Sequence, residues 1–167
     1  MKVLFTAIAK PLTLILAGLL TACTPVASGD GEPSSQAKTA LAEYRAAEKQ
    51  TYNARDEALF DLFDEDAVIQ ACGAQALHGR SELRDFFLND YWKNNTAKIL
   101  EVNDYNIVES GEYLITNGDF IVEVTPNDTG ETRRDSGRFL AVFKMGADGK
   151  YRLWREAGLD AASPSKD

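Results

Sequence analysis

The chain has 167 residues, of which 26 are acidic and 18 are basic, so its formal net charge is −8 at pH 7. A surface of this sign repels nucleic acid and anionic lipid headgroups, so we expect no nucleic-acid partner. With two cysteines and one histidine, the chain lacks the clustered ligands of a metal site, and we expect neither a metal nor another cofactor.

Residues 1–22 have the features of a signal peptide. A basic start at Lys2 is followed by a mostly apolar run, which ends in Leu-Thr-Ala-Cys at residues 20–23. This ending resembles the lipobox of bacterial lipoproteins. The resemblance implies that Cys23 is lipidated and anchors the chain to a membrane without crossing it. Because Thr24 follows, it also implies the bacterial outer membrane, facing the periplasm. An ordinary secretory signal with an incidental cysteine is the alternative.

The chain after the signal peptide divides into a tether, a domain and a tail. Residues 23–35 are small, polar and rich in Gly, Pro and Ser, which is typical of a flexible tether. We expect one domain at residues 36–160 and a disordered tail at residues 161–167. With Cys23 lipidated, Cys72 has no disulfide partner, and we expect it to be buried and inert.

Two helices are predicted at the start of the domain. Residues 36–52 place apolar side chains at helical spacing. Glu48 is an exception on this apolar stripe, where a carboxylate is costly unless it is paired, hydrated or functional. A second helix is predicted from Asn53, as its N-cap, to residues 65–66, with Asp56 in its first turn.

The rest of the domain is predicted to be one further helix, ending near residue 95, and a largely antiparallel sheet. The predicted strands are rich in β-branched and aromatic residues and are separated by turn sequences. They lie at residues 67–72, 75–78, 97–108, 113–124, 137–144 and 151–153. Gly118 and Gly137 permit bends in the sheet. Helices gathered on one face of an antiparallel sheet make an α+β domain.

Four sequence stretches resemble the SnoaL-like branch of the nuclear transport factor 2 superfamily, which includes ketosteroid isomerases. They are FDEDAV at 63–68, HGRSELRDFF at 78–87, DSGRFL at 135–140 and DGKYRL at 148–153. The resemblance implies a cone-shaped, cystatin-like fold, with three N-terminal helices packed on a curved antiparallel sheet and a pocket at the wide end. This superfamily hosts several classes of enzyme and many non-catalytic domains, so the fold does not decide the function.

The resemblance also bears on catalysis. Ketosteroid isomerases use an aspartate in the first strand as general base and a second acid in the penultimate strand to stabilise the oxyanion. Matching the motifs places Ala71 and Ala141 at these positions. Neither alanine can transfer a proton, so we expect that mechanism to be absent.

The same matching predicts which strand residues face the pocket. They are Ile115, Asn117, Asp119, Ile121, Phe139, Phe143, Arg152, Trp154 and Glu156. An apolar and aromatic set with a few polar groups is typical of a small-molecule site. Asp119 and Glu156 are its only carboxylates, and burial beside Trp154 would raise their pKa values and suit one of them to act as a base. A structural ion pair with Arg152 or Arg138 is the alternative.

We therefore expect a membrane-tethered domain that binds a small apolar or amphipathic molecule. A lyase or isomerase that uses Asp119 or Glu156 is the alternative from another class. A protein-interaction domain with a filled pocket is the third. Apolar residues on the opposite strand faces, such as Leu114, Phe120 and Leu140, predict a homodimer through the outer face of the sheet.

Overall fold

The computed structural model describes residues 32–159. The predicted signal peptide at residues 1–22, the lipidation site at Cys23 and the predicted tail at residues 161–167 lie outside the described residues. No helix within residues 32–159 combines the length and the apolar character that crossing a membrane requires.

The described chain forms one six-stranded sheet with helices packed on it. In chain order the elements are helix α1 (Ser35–Ala54), a 3-10 helix (Glu57–Leu62), strands β1 (Phe63–Gln70) and β2 (Leu77–His78), helix α2 (Gly79–Phe86), a π-helical turn (Phe87–Tyr91), a short helix α3 (Trp92–Asn94), and strands β3 (Asn95–Ser110), β4 (Tyr113–Pro126), β5 (Arg133–Met145) and β6 (Tyr151–Gly158). The strand order is β2-β1-β6-β5-β4-β3. All pairs are antiparallel except β1 with β6, so the predicted α+β class is confirmed.

Helix α1 lies across the sheet and contacts both β3 and β6. Its N-terminus is capped by the Ser34 hydroxyl, which accepts a 3.1 Å hydrogen bond from the Ala37 amide. Leu41, Tyr44 and Tyr52 are buried on its inner face, as the helical spacing predicts. At its end, the left-handed conformation of Arg55 stops the helix, as is common at helix C-termini.

The predicted second helix is shorter than expected and starts later. Asn53 is not its N-cap, because it belongs to α1 and its side chain exchanges hydrogen bonds of 3.1 and 2.7 Å with the backbone of Ile99. Asp56 caps the short 3-10 helix instead, accepting a 2.9 Å bond from the Ala58 amide. Strand β1 then begins at Phe63, so residues 65–66 lie in a strand.

Irregular pairing between β3 and β4 bends the sheet. The register shifts twice, between Ile99 and Glu101 and between Asp104 and Asn106, and such bulges increase strand bend and twist. Gly118 pairs with Asp104 at this bend, where a Cβ atom would lie 2.8 Å from Cζ of Phe139 and would overlap the carbonyl oxygen of Asn103. Glycine is therefore required there for close approach of the backbone.

Cys72 is exposed in the turn that follows β1. The prediction that it is buried is wrong because β1 ends at Gln70, two residues earlier than expected.

Candidate ligand-binding site

A cavity of about 190 Å³ lies between the helices and the concave face of the sheet. Most of its lining is apolar: Tyr52, Leu59, Phe63, Ile69, Leu83, Phe87, Ile99, Val102, Phe120, Val122, Phe139 and Leu153. Three charged residues, Arg45, Glu48 and Glu156, complete the lining. Because an apolar cavity of about 150 Å³ is large enough to hold benzene, this one has room for a single ring with a small substituent.

Arg45 is the cation of the site and is bound by two protein carboxylates. Its Nε and Nη2 atoms each donate a 3.0 Å hydrogen bond to Asp104, and its Nη1 atom donates a 2.9 Å bond to Glu48. Its guanidinium also lies 4.9 Å from the ring centroid of Phe139 and 5.2 Å from that of Phe143. Burial by itself would lower the pKa of Arg45, but the charges of Glu48 and Asp104 hold that pKa above its ordinary value.

Asp104 reaches the guanidinium from the bulged part of β3. It also accepts a 3.2 Å hydrogen bond from the hydroxyl of Thr116, a fully buried residue of β4. The bulge, the ion pair and the threonine together fix Asp104 beneath α1.

Glu156 is the carboxyl group of the cavity lining that forms no salt bridge. It lines the cavity from β6, and among residues 32–159 it makes no hydrogen bond and no salt bridge. The pKa of Glu156 is raised to about 7, mainly by burial and also by the nearby charge of Glu48, while Arg45 opposes the rise. The carboxyl is therefore able to gain or lose a proton near neutral pH.

Tyr44 adds a second polar group that lacks a partner. Within the described part of the chain its hydroxyl is buried without a hydrogen bond, and its ring packs edge-on against Phe143 at a centroid distance of 4.7 Å. Burial raises the pKa of Tyr44 well above its usual value, and Glu48 and Glu156 contribute to the rise. The tyrosine is therefore a neutral phenol beside the charged cluster.

Comparison with known proteins finds similarity in structure but not in sequence. No protein-family model matches the chain, and no curated protein matches its sequence. Among solved structures, a ketosteroid isomerase-like protein from Erwinia carotovora atroseptica superposes with a TM-score of 0.65 at 16% identity, over 76% of this chain and 99% of that chain. A nuclear transport factor 2-like superfamily protein from Salmonella enterica superposes with a TM-score of 0.63 at 16% identity, over 80% and 95% of the two chains.

A third structure, a nuclear transport factor 2-like protein with a cystatin-like fold from Novosphingobium aromaticivorans, has a TM-score of 0.59 at 16% identity, over 75% of this chain and 83% of that chain. The domain has the nuclear transport factor 2-like fold. The predicted fold is thereby confirmed, while these low identities carry no information about the ligand or the reaction.

Within this nuclear transport factor 2-like domain, two of the predicted pocket residues, Phe139 and Glu156, line the cavity. Phe143 lies in the core, fully buried against Tyr44. The other predicted residues lie outside the cavity: Ile115, Asn117, Asp119, Ile121, Arg152 and Trp154. The predicted alternation along β4 is thus wrong by one residue.

Burial along β4 explains this error. Leu114, Thr116 and Gly118 are buried, and Phe120 and Val122 line the cavity, so the even-numbered residues face inward. The sequence did not distinguish the two faces because both carry apolar side chains. For the same reason, Leu114 and Phe120 belong to the inner face and not to the predicted outer one.

Asp119 has the opposite electrostatic environment from the one expected. It accepts hydrogen bonds from the hydroxyl of Tyr105 and, at 2.9 Å, from Asn103. The Tyr105 bond is the main reason that the pKa of Asp119 lies below its usual value. Asp119 is therefore an ionised surface carboxylate and not a base in the cavity.

Trp154 also lies outside, packed at 5.4 Å from the Tyr113 ring and covered by the Arg155 guanidinium at 3.9 Å. A shift in the pairing of β5 with β6, between Val142 and Phe143, changes the alternation of β6 at this point. Leu153 and Glu156 therefore both face inward, although a regular strand would place them on opposite faces of the sheet.

The two alanines that the sequence resemblance matched to the isomerase acids have different positions. Ala71 is exposed beyond the end of β1, so its predicted place at the pocket is wrong. Ala141 is fully buried in β5 and pairs directly with Glu156 of β6. The cavity carboxyl that lacks a salt bridge, Glu156, thus comes from the strand next to Ala141.

Sequence reasoning missed Arg45 and Asp104, which lie 59 positions apart in the chain. The available signal was Glu48 on the apolar stripe of α1. The structure shows that this carboxylate is paired with Arg45, one turn earlier on the helix.

Proposed function

We propose that this domain binds a small amphipathic molecule in the cavity, with the apolar part against the side-chain walls and the polar part at Glu156. One observation carries the proposal: an apolar cavity of about 190 Å³ contains a carboxyl group that has no partner among the described residues. Apolar walls with a few convergent polar groups are typical of small-molecule sites.

The division of roles within the cavity supports binding of this kind. Burial of apolar ligand surface stabilises the complex by roughly 25 cal/mol per Å². Arg45 is bound by two carboxylates and lies close to two aromatic rings, so it fixes the site and is a poor partner for an anionic ligand. Glu156 is left to interact with the polar group.

Filling the cavity tests this proposal. Val102 lines the cavity, so we expect Val102→Phe in the full chain to abolish the shifts that toluene induces in amide NMR spectra. Val108→Phe is the matched control, because Val108 is 42% exposed on the same strand and lies outside the cavity. Toluene-induced shifts that are equal in the two variants would refute the proposal.

Acid–base catalysis by Glu156 is the second candidate function. A pKa of about 7 suits a group that takes a proton from carbon and returns one, as in an isomerase or lyase. The test is exchange of the α protons of a small cyclic ketone in D₂O, followed by NMR. Exchange that is lost in Glu156→Gln and kept in Asp119→Asn would favour catalysis, whereas no exchange above buffer would leave binding alone.

We also propose a membrane tether on Cys23 and a place in the bacterial cell envelope, at the outer membrane facing the periplasm. The support is the sequence at residues 20–23. We expect the full chain to incorporate labelled palmitate in a bacterial host and Cys23→Ser to lose the label. Cys72→Ser is the control, since Cys72 is an exposed thiol in the domain. Label retained by Cys23→Ser would exclude this anchor.

A homodimer through the outer face of the sheet is also part of the proposal. Its support is an apolar row in which Val108 pairs with Ile115 and Ile115 pairs with Val142, beside Leu140, which is 43% exposed. A two-fold contact would bury this row against itself. We expect sedimentation to give a dimer mass and Val142→Asp to give a monomer mass, with Lys98→Asp as a control. A monomer mass for the wild-type chain would refute the dimer.

A further inference from the structure

The charge balance of the cavity points to one class of ligand. Within residues 32–159, the charged groups that act on Glu156 come from two elements: Arg45 and Glu48 from α1, and Asp104 from β3. Strand β5 contributes the uncharged Phe139 and Ala141 on this side. The four ionisable side chains are one guanidinium and three carboxyl groups. Their net charge is −1 when Glu156 is protonated and −2 when Glu156 is ionised.

This deficit cannot be met by the protein groups in contact with the cavity. Arg45 is the cation of the lining, and three of its N–H groups are already bonded to Asp104 and Glu48. A charge buried without a partner is costly, whereas a paired charge that makes hydrogen bonds is tolerated. A positively charged ligand group beside Glu156 would supply the missing partner.

We propose that the ligand is a protonated amine carried on an apolar body of about one ring, bound with its ammonium at Glu156 and Glu48. This inference rests on the proposed function, because it assigns the polar group of the same ligand. The ammonium has three donors and no acceptor, which matches two carboxylates. A ligand carboxylate would bring a further negative charge to a site that already carries an excess of them.

Binding of an ammonium group also changes the protonation of Glu156. Because the carboxyl of Glu156 changes its protonation near neutral pH, an ammonium that binds at pH 6 displaces a proton from it into solvent. At pH 8.5 the carboxyl is already ionised, and binding of the same ammonium releases almost no proton. A neutral ligand of the same shape releases none at either pH.

Titration calorimetry at pH 8 measures the binding of benzylamine, toluene and benzoate to the full chain. The Val102→Phe variant, whose cavity is filled, measures binding outside the cavity. A charge-assisted hydrogen bond favours benzylamine over toluene by roughly tenfold to a hundredfold. We expect Glu156→Gln to remove that advantage. Asp119→Asn should keep the advantage of benzylamine, because Asp119 is a carboxylate on the outer face of the sheet.

The outcomes separate this inference from the proposed function. The amine assignment is overturned if toluene binds as tightly as benzylamine, or if Glu156→Gln leaves the affinity for benzylamine unchanged. Either result leaves the cavity proposal standing. No binding of either compound overturns both. If Glu156→Gln does not fold, proton release by the wild-type chain in buffers of different ionisation enthalpy decides: equal release at pH 6 and pH 8.5 contradicts the inference.

Discussion

Arg45 of helix α1 and Asp104 of strand β3 are joined by two hydrogen bonds of 3.0 Å. Each of the two side chains is about one-tenth exposed. This pair connects the helix to the bulged part of the sheet at the wall of the cavity. Glu48 binds the same guanidinium at 2.9 Å, so the three side chains form one buried network. A buried ion pair of this geometry is sensitive to loss of one partner.

We predict that Asp104→Ala lowers the free energy of unfolding by roughly 2–3 kcal/mol, because it removes two charge-assisted hydrogen bonds from the buried Arg45 and leaves Glu48 as its remaining carboxylate partner. Urea unfolding at pH 7 measures this change. Asp148→Ala is the matched control, since Asp148 makes a similar 2.7 Å pair with Arg152 on the surface, and we expect a much smaller effect. Equal losses in the two variants would show that the Arg45 network is not a structural element.

Glu156 is predicted to make stability depend on pH. Its pKa is about 7 in the folded state against 4.5 for an ordinary glutamate, so the folded state holds the proton more tightly than the unfolded state. The contribution of Glu156 to stability is therefore greatest below pH 4.5. It falls between pH 4.5 and 7 and levels off above pH 7. The difference between the two pKa values corresponds to roughly 3 kcal/mol.

Glu156→Gln should remove this fall, because glutamine carries no proton to lose. The measurement is urea unfolding of both proteins at several values between pH 4.5 and 8. We expect the variant to gain stability relative to the wild type as the pH rises. Parallel pH profiles would mean that Glu156 has an ordinary pKa in the folded protein.

The helix α1, the four-stranded meander and the α+β class were predictable because each depends on local patterns. Helical spacing places Leu41 and Tyr44 on one face of α1, and turn sequences separate β4, β5 and β6. Asn53 was misassigned because a residue suited to capping a helix is equally suited to binding the backbone of an edge strand, as it does at Ile99 of β3.

The site was less predictable because it depends on which strand face is inside. Alternation cannot decide this for β4, where Leu114 and Ile115 are equally apolar but only Leu114 is fully buried. The bulge in β6 then places Glu156 inside and Trp154 outside. Pairing of Arg45 with Asp104 is a long-range contact that leaves no local pattern in the sequence.

Gly118 provides a test of the bend that shapes the cavity. We predict that Gly118→Ala lowers the free energy of unfolding by roughly 1–3 kcal/mol, because the added methyl group meets the Asn103 carbonyl and the Phe139 ring. Asn117→Ala, one residue earlier on the outward side of the strand, should change stability much less. Thermal unfolding compares the two. A tolerated methyl group at Gly118 would argue against close backbone approach at this bend.

The charge state of Glu156 is central to both proposals and can be measured directly. A ¹³C titration of the glutamate side-chain carboxyls, with the Glu156 resonance assigned by its loss in Glu156→Gln, gives the pKa in the folded chain. We predict a value of about 7. A value near the ordinary 4.5 would contradict the account, because it would mean that Glu156 is solvated or already paired with a cation.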